Sequence, residues 1–121
     1  MRMKLAAPIN RVNVMFRAFS DPTRLRILHL LKGGELCVCD LVRVIDAPQP
    51  TISRHLAYLR KAKLVKARKE GLWMYYQLAP VRGEFHRKLL DCLASCFGDV
   101  PQLAADAKRL KKCCDNGACC V

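Results

Sequence analysis

The sequence predicts a mainly helical chain with one small β-hairpin, in the order α-α-α-α-β-β-α. Three observations carry that prediction. Apolar residues recur at helical spacing along most of the chain. Two stretches near its middle, 64–69 (LVKARK) and 72–78 (LWMYYQL), change to a β-branched and aromatic composition on either side of Glu70-Gly71. Between the helical part and the hairpin, residues 47–61 (APQPTISRHLAYLRK) divide one short helix from the next by a tight turn.

Taken in order, residues 8–19 form the first helix, with Ile9, Val12, Phe16 and Phe19 on one face and Val14 and Met15 broadening it. A helix this apolar covers the core or meets a second subunit. Asp21 caps the second helix and Pro22 suits its first position. Leu25, Leu28 and Leu31 enter the core, and Gly33-Gly34 ends the helix. His29 has no ligand-type neighbour at helical spacing and reads as a half-buried surface histidine. Residues 35–45 (ELCVCDLVRVI) are the third helix, burying Leu36, Leu41 and Ile45.

Pro48 and Pro50 turn Ala47 and Gln49 away from helix, so a single helix cannot run through. Gln49 or Thr51 caps a new one. Ile52, Leu56 and Leu59 fall at i, i+4 and i+7, one buried stripe. The remaining faces carry Gln49, Thr51, Ser53, Arg54, His55, Tyr58, Arg60 and Lys61, side chains that reach base edges and phosphates. The third and fourth helices therefore read as a helix-turn-helix, and the fourth as its recognition helix. A plain amphipathic surface helix is the alternative. The hairpin that follows weakens it, because it stands where a wing would, with Lys66, Arg68, Lys69 and the Gly71 tip over a phosphate backbone. The last long helix covers 81–97, with Phe85, Leu89, Leu90, Leu93 and Phe97 on its apolar side, and with the first helix it offers a dimer face. Residues 101–112 are a weaker helical pattern. The expected division is a DNA-binding and dimerisation domain, 1–98, and a basic, Cys-rich C-terminal extension, 99–121.

Charge agrees with this reading. With 22 Lys and Arg against 10 Asp and Glu, the chain is formally +12 over 121 residues, pointing to nucleic acid as partner before an anionic membrane. No apolar run is long enough to span a bilayer, and Pro8 stops the short run Leu5-Ala6-Ala7, so a cytoplasmic, reducing location is expected. There, eight cysteines in three groups favour soft-ion binding over structural disulfides.

The segments SDPTRLRIL (20–28), ELCVCDL (35–41), QPTISRHLAYLRKAKLV (49–65) and EGLWMYYQL (70–78) together resemble the ArsR/SmtB family of metal-sensing repressors. The resemblance covers about 12–96. It implies a homodimeric winged helix-turn-helix that holds a palindromic operator and releases it when a metal or metalloid ion binds. ELCVCDL resembles the box of the arsenite- and antimonite-responsive branch, which implies Cys37 and Cys39 as thiolate ligands. Where some members carry a third cysteine one turn later, this chain has Val42. There is no cysteine before Cys37, as the lead and cadmium sensors use, and His86 and Asp91 do not reproduce the zinc pattern of the last helix.

Trivalent arsenic and antimony want two or three thiolates; cadmium, lead and zinc also accept them. Cys37 and Cys39, two apart, stand about 200° apart on a regular helix, so chelation requires the start of the third helix to unwind. Cys92 and Cys96, at i and i+4, share one face and serve equally as chelators or as small hydrophobes in an interface. Cys113-Cys114 and Cys119-Cys120 flank the turn signal Asp-Asn-Gly-Ala and can converge on one ion. The expected function is a transcriptional repressor, not an enzyme, induced by arsenite or antimonite. Gln49, Thr51, Ser53, Arg54 and His55 would read bases or fix phosphates, and Tyr58, Arg60, Lys61, Arg68 and Lys69 would hold the backbone. A second reading keeps DNA binding but makes cadmium, lead, zinc or thiol oxidation the signal. A thiol enzyme or metal carrier is disfavoured, since there is no phosphate loop, no C-x-x-C and no strand-helix-strand frame.

Overall fold

The computed structural model describes residues 9–95 and 98–115. Its elements are α1 (Ile9–Phe19), α2 (Pro22–Leu31), β1 (Leu36–Cys37), α3 (Val38–Ile45), α4 (Gln49–Lys61), β2 (Val65–Glu70), β3 (Trp73–Leu78), α5 (Glu84–Ser95) and α6 (Pro101–Asp115). The winged helix-turn-helix predicted from the sequence is present. No helix among the described residues is long and apolar enough to cross a membrane.

The helix-turn-helix is made by local signals. Asp21 accepts a hydrogen bond from the Arg24 N–H at 3.0 Å and caps α2. Asp46 ends α3 in the left-handed region, φ 62°, with its N–H on the Val42 carbonyl at 2.9 Å. Pro48 then supplies the carbonyl that starts α4, accepting from Thr51 and Ile52 N–H. Ile52, Leu56 and Leu59 are fully buried against Ile27, Leu28, Leu31, Leu41 and Val44.

Five boundaries differ from the sequence reading, the first being that α4 starts at Gln49 itself with Pro48 as its N-cap, so that neither Gln49 nor Thr51 caps it. The third helix starts at Val38, not Glu35, because Leu36 and Cys37 pair antiparallel with Tyr76 and Tyr75. The Asp40 carboxylate accepts from the Cys37 N–H at 3.0 Å and caps the helix there. The hairpin is therefore part of a three-stranded sheet, ordered β1-β3-β2. Its turn is Gly71-Leu72, since Glu70 already pairs with Trp73, and Gly71 sits at φ 62°. Helix α5 starts at Glu84, after Gly83 at φ 145°, and not at Val81. Helix α6 continues past Lys112 to Asp115.

In α1 the buried residues are Met15 and Ala18, whereas Phe16 is 52% exposed and Ile9 79%. The helix covers α2 with Met15 and Ala18; on one flank Phe16 meets Phe85 of α5 edge to face at 5.3 Å, and on the other Val14 lines a cavity with Tyr58 and Lys61 of α4. Helix α6 lies on α2 and α3, burying Leu103 and Asp106.

Candidate nucleic-acid interface and thiol site

Burial of one stripe of α4 leaves a polar face outward. Gln49, Arg54, Tyr58, Arg60 and Lys61 are exposed, and Thr51 and Ser53 are half-buried. The Gln49 amide donates to Ser53 Oγ at 3.1 Å. His55 differs from its neighbours, because its ring leans back against α2. Arg24 Nη1 lies 3.3 Å from its Nδ1 and the Asp21 carboxylate 3.7 Å away. A guanidinium only donates, so Nδ1 is the acceptor and the proton sits on Nε2. Burial pushes the His55 pKa down; Asp21 opposes this, and Arg24 and Arg54 reinforce it.

Arg24 went unnoticed as a functional residue in the sequence, where SDPTRL marks only a helix start. Its guanidinium donates to the Ala18 and Arg17 carbonyls at 3.1 and 3.0 Å. The same group stacks 4.0 Å from the Tyr58 ring centre. One side chain thus ties the end of α1 to His55 and Tyr58 of the recognition helix.

On the wing, Arg68 is held by acids. It donates to both carboxylate oxygens of Glu35, at 3.0 and 2.7 Å, and to Glu70, and lies over the Tyr75 ring at 4.7 Å. The Arg68 bond holds the Glu35 carboxyl below the usual carboxylate range. Lys66 and Lys69 are exposed on the same strand.

The thiol pair does not have the geometry that a helical C-V-C would have. Cys37 has extended backbone, φ −77° and ψ 152°, in β1, while Cys39 is in the first turn of α3. Their Sγ atoms stand 3.1 Å apart with no helix unwound, which corrects the sequence expectation. Cys37 is buried and a free thiol; Cys39 is half-buried and disulfide-bonded. Beside them the second carboxylate oxygen of Asp40 is buried without a hydrogen-bond partner. Two soft sulfurs 3.1 Å apart suit a thiophilic ion once Cys39 is reduced. The described residues hold no cluster of three or more His, Cys, Asp or Glu side chains able to take a metal.

A cavity of about 640 Å³ opens at this pair. Cys37, Cys39 and Val42 line one side, Trp73 and Met74 of the wing another, and Gln49 and Ser53 of the recognition helix a third. The thiols thus share a cavity with two predicted DNA-facing residues.

The other cysteines are dispersed. Cys92 is half-buried on α5, and Cys96 lies outside the described residues. Cys113, a free thiol on α6, packs against the core. Cys114 is in α6 by its backbone, and Cys119 and Cys120 lie outside the described residues. His86 is buried on α5, where its Nδ1 accepts from the Arg82 N–H at 3.1 Å and ties down the preceding loop. His29 is half-buried, as expected.

Residues 21–67 match the model of the arsR family of bacterial regulatory proteins. An HTH-type transcriptional regulator of Methanocaldococcus jannaschii is 51% identical over 78 residues, covering 64% of this chain and 88% of that protein. The arsenical resistance operon repressor of Escherichia coli is 47% identical over 78 residues, covering 64% of this chain and 67% of the repressor. Among solved structures, HlyU from Vibrio cholerae superposes with a TM-score of 0.66 at 29% identity, over 74% of this chain and 94% of HlyU. Together with the helix-turn-helix and wing, these likenesses establish that the chain belongs to the arsR family of bacterial regulatory proteins, which are DNA-binding regulators and not enzymes.

Proposed function

We propose that this protein is a repressor that binds operator DNA as a homodimer and releases it when arsenite or antimonite binds Cys37 and Cys39. The observation that carries the reading is the shared cavity, which places the thiol pair beside Gln49 and Ser53. When bound, the metalloid supplies covalent bonds to sulfur. The rest is done by the chain. Cys37 belongs to the sheet and Cys39 to α3, so a change in their spacing moves α3 relative to the wing. α3 packs on α4, and the displacement alters how Gln49, Thr51, Ser53 and Arg54 meet the groove. A coupling of about 1–3 kcal/mol is the usual size of such an effect. Exposed Phe16 of α1, against Phe85 of α5, together with exposed Val81 before α5, supports pairing of two copies. The name of the Escherichia coli relative supports arsenic as the signal.

The disulfide at Cys39 favours a second reading, in which thiol oxidation is the signal. Fluorescence anisotropy of the reduced protein on promoter DNA separates the readings. Release by low arsenite or antimonite, lost in C37S/C39S, supports the first. Release by cadmium, lead or zinc alone changes the ion, and release by peroxide alone supports the second.

A further inference from the structure

The tip of the wing is apolar. Gly71 and Leu72 make the turn between β2 and β3, and Gly71 sits in the left-handed region that glycine takes without strain. Leu72 is 95% exposed, more than any other large apolar side chain among the described residues, and Trp73 follows it at 42%.

Charge near the tip is arranged around this leucine. Arg68 spends its guanidinium on Glu35 and Glu70. Lys69 is exposed and pairs across the hairpin with Met74, so the two share one face of the sheet. Met74 lines the cavity beside the recognition helix, and the shared face puts Lys69 on that side of the wing.

The residues opposite the tip point to its partner. Leu72, Trp73 and Met74 form one wall of the cavity of about 640 Å³, and Gln49 and Ser53, at the start of the recognition helix, form another. The wing tip and the N-terminal end of α4 therefore flank one cleft. A recognition helix contacts base edges in the major groove with its N-terminal residues. From that groove, the minor groove lies across a single sugar–phosphate strand. The formal charge of +12 and the exposed Lys66 and Lys69 leading to the tip favour a polyanion over an apolar protein surface as the occupant.

We infer that the cleft seats the sugar–phosphate strand bordering the major groove, and that Leu72 enters the neighbouring minor groove as an apolar contact. This rests on the reading of the protein as an operator-binding repressor, and not on the identity of its inducer. The minor groove is about 6 Å wide, and a tip of one glycine and one leucine is slim enough to reach into it. A leucine makes no hydrogen bond to the base edges there. It reads deformability, because an apolar wedge is accommodated best at the pyrimidine–purine steps TA and CA, which unstack easily. Leu72 is then a specificity-determining residue that works through DNA shape. Lys69, on the phosphates, adds affinity without sequence preference.

The test uses the full-length reduced protein, without inducer, on duplexes carrying its own promoter. Hydroxyl-radical footprinting of wild type and L72A locates the minor-groove position where protection differs. The step at that position is then set to TA, CA or AA, and affinity is read by fluorescence anisotropy at several salt concentrations. Wild type is expected to bind TA and CA about 10-fold more tightly than AA, the size of one altered base pair. L72A is expected to lose that preference and about 10-fold in affinity for the TA duplex. Its log–log salt slope should be unchanged, because no charge is removed. K69A is the contrast, with a slope lower by about one and the step preference kept. Thermal unfolding checks that L72A is folded, and L72S repeats the measurement with a polar side chain. Wild-type affinity and step preference in L72A overturn the proposal, as does a loss of affinity equal for every step, or a footprint identical to wild type. Failure of the wild-type protein to bind any promoter duplex overturns the operator-binding reading itself.

Discussion

The Arg24 guanidinium stacks 4.0 Å from the centre of the Tyr58 ring, while its Nη1 lies 3.3 Å from His55 Nδ1. The cation therefore joins α2 to the recognition helix and is already engaged with protein carbonyls. R24A is expected to weaken operator binding about 10-fold, in line with a stacking and hydrogen-bond loss of about 1–2 kcal/mol. Because Arg24 positions the helix, the salt dependence of binding should be nearly unchanged. A fall of about one in the log–log salt slope would make it a phosphate contact instead. Anisotropy at several salt concentrations decides between them.

Glu35 restrains the wing. Its carboxylate holds Arg68 through two hydrogen bonds, and Gln77 adds a third at 3.3 Å. Removing that negative charge with E35Q should free the guanidinium for the DNA backbone, raising affinity a few-fold and steepening the salt slope by up to about one. Weaker binding in E35Q would mean that the Glu35–Arg68 pair shapes the wing that DNA recognises.

Acid should destabilise the fold through histidines. Burial depresses the pKa values of His29, His55 and His86. The unfolded chain therefore takes up protons first as pH falls, and stability drops from about pH 6.5 downward. For His86, Arg11 and Arg82 add to the depression, and its Nδ1 accepts from the Arg82 N–H. Thermal unfolding between pH 5 and 8 should show the loss, and H86N should flatten part of it. A melting temperature flat across that range would contradict the assignment.

Trp73 reports on the thiol site. It is the only tryptophan, and it lines the cavity that Cys37 and Cys39 open into. Arsenite added to reduced protein should change its emission, and C37S/C39S should abolish the change. An unaltered spectrum during DNA release would place the inducer elsewhere.

Asp106 anchors α6 from a fully buried position. D106A leaves the Arg26 guanidinium without its carboxylate and should cost about 3 kcal/mol of stability, measured by urea unfolding. A much smaller loss would mean that the Arg26 guanidinium finds other partners, such as the Ile45 carbonyl it already reaches.

The sequence by itself determined the order of elements, the recognition helix and the wing, because each rests on local chemistry. Ile52, Leu56 and Leu59 mark the buried stripe of α4 by spacing alone, and the prolines around Gln49 force the turn. The family resemblance was likewise legible in contiguous motifs. Tertiary structure decided the rest. Cys37 belongs to a strand only because the distant edge of β3 pairs with it, and no local pattern in ELCVCDL records that partner. His55 turns inward because Arg24 and Asp21 converge on its ring from another helix. Nothing local marks Asp106 for burial; its partner is Arg26, far away in sequence. Local periodicity specifies elements; the pairing of a strand edge or an ion across elements depends on long-range contacts that burial rewards only after the chain has closed.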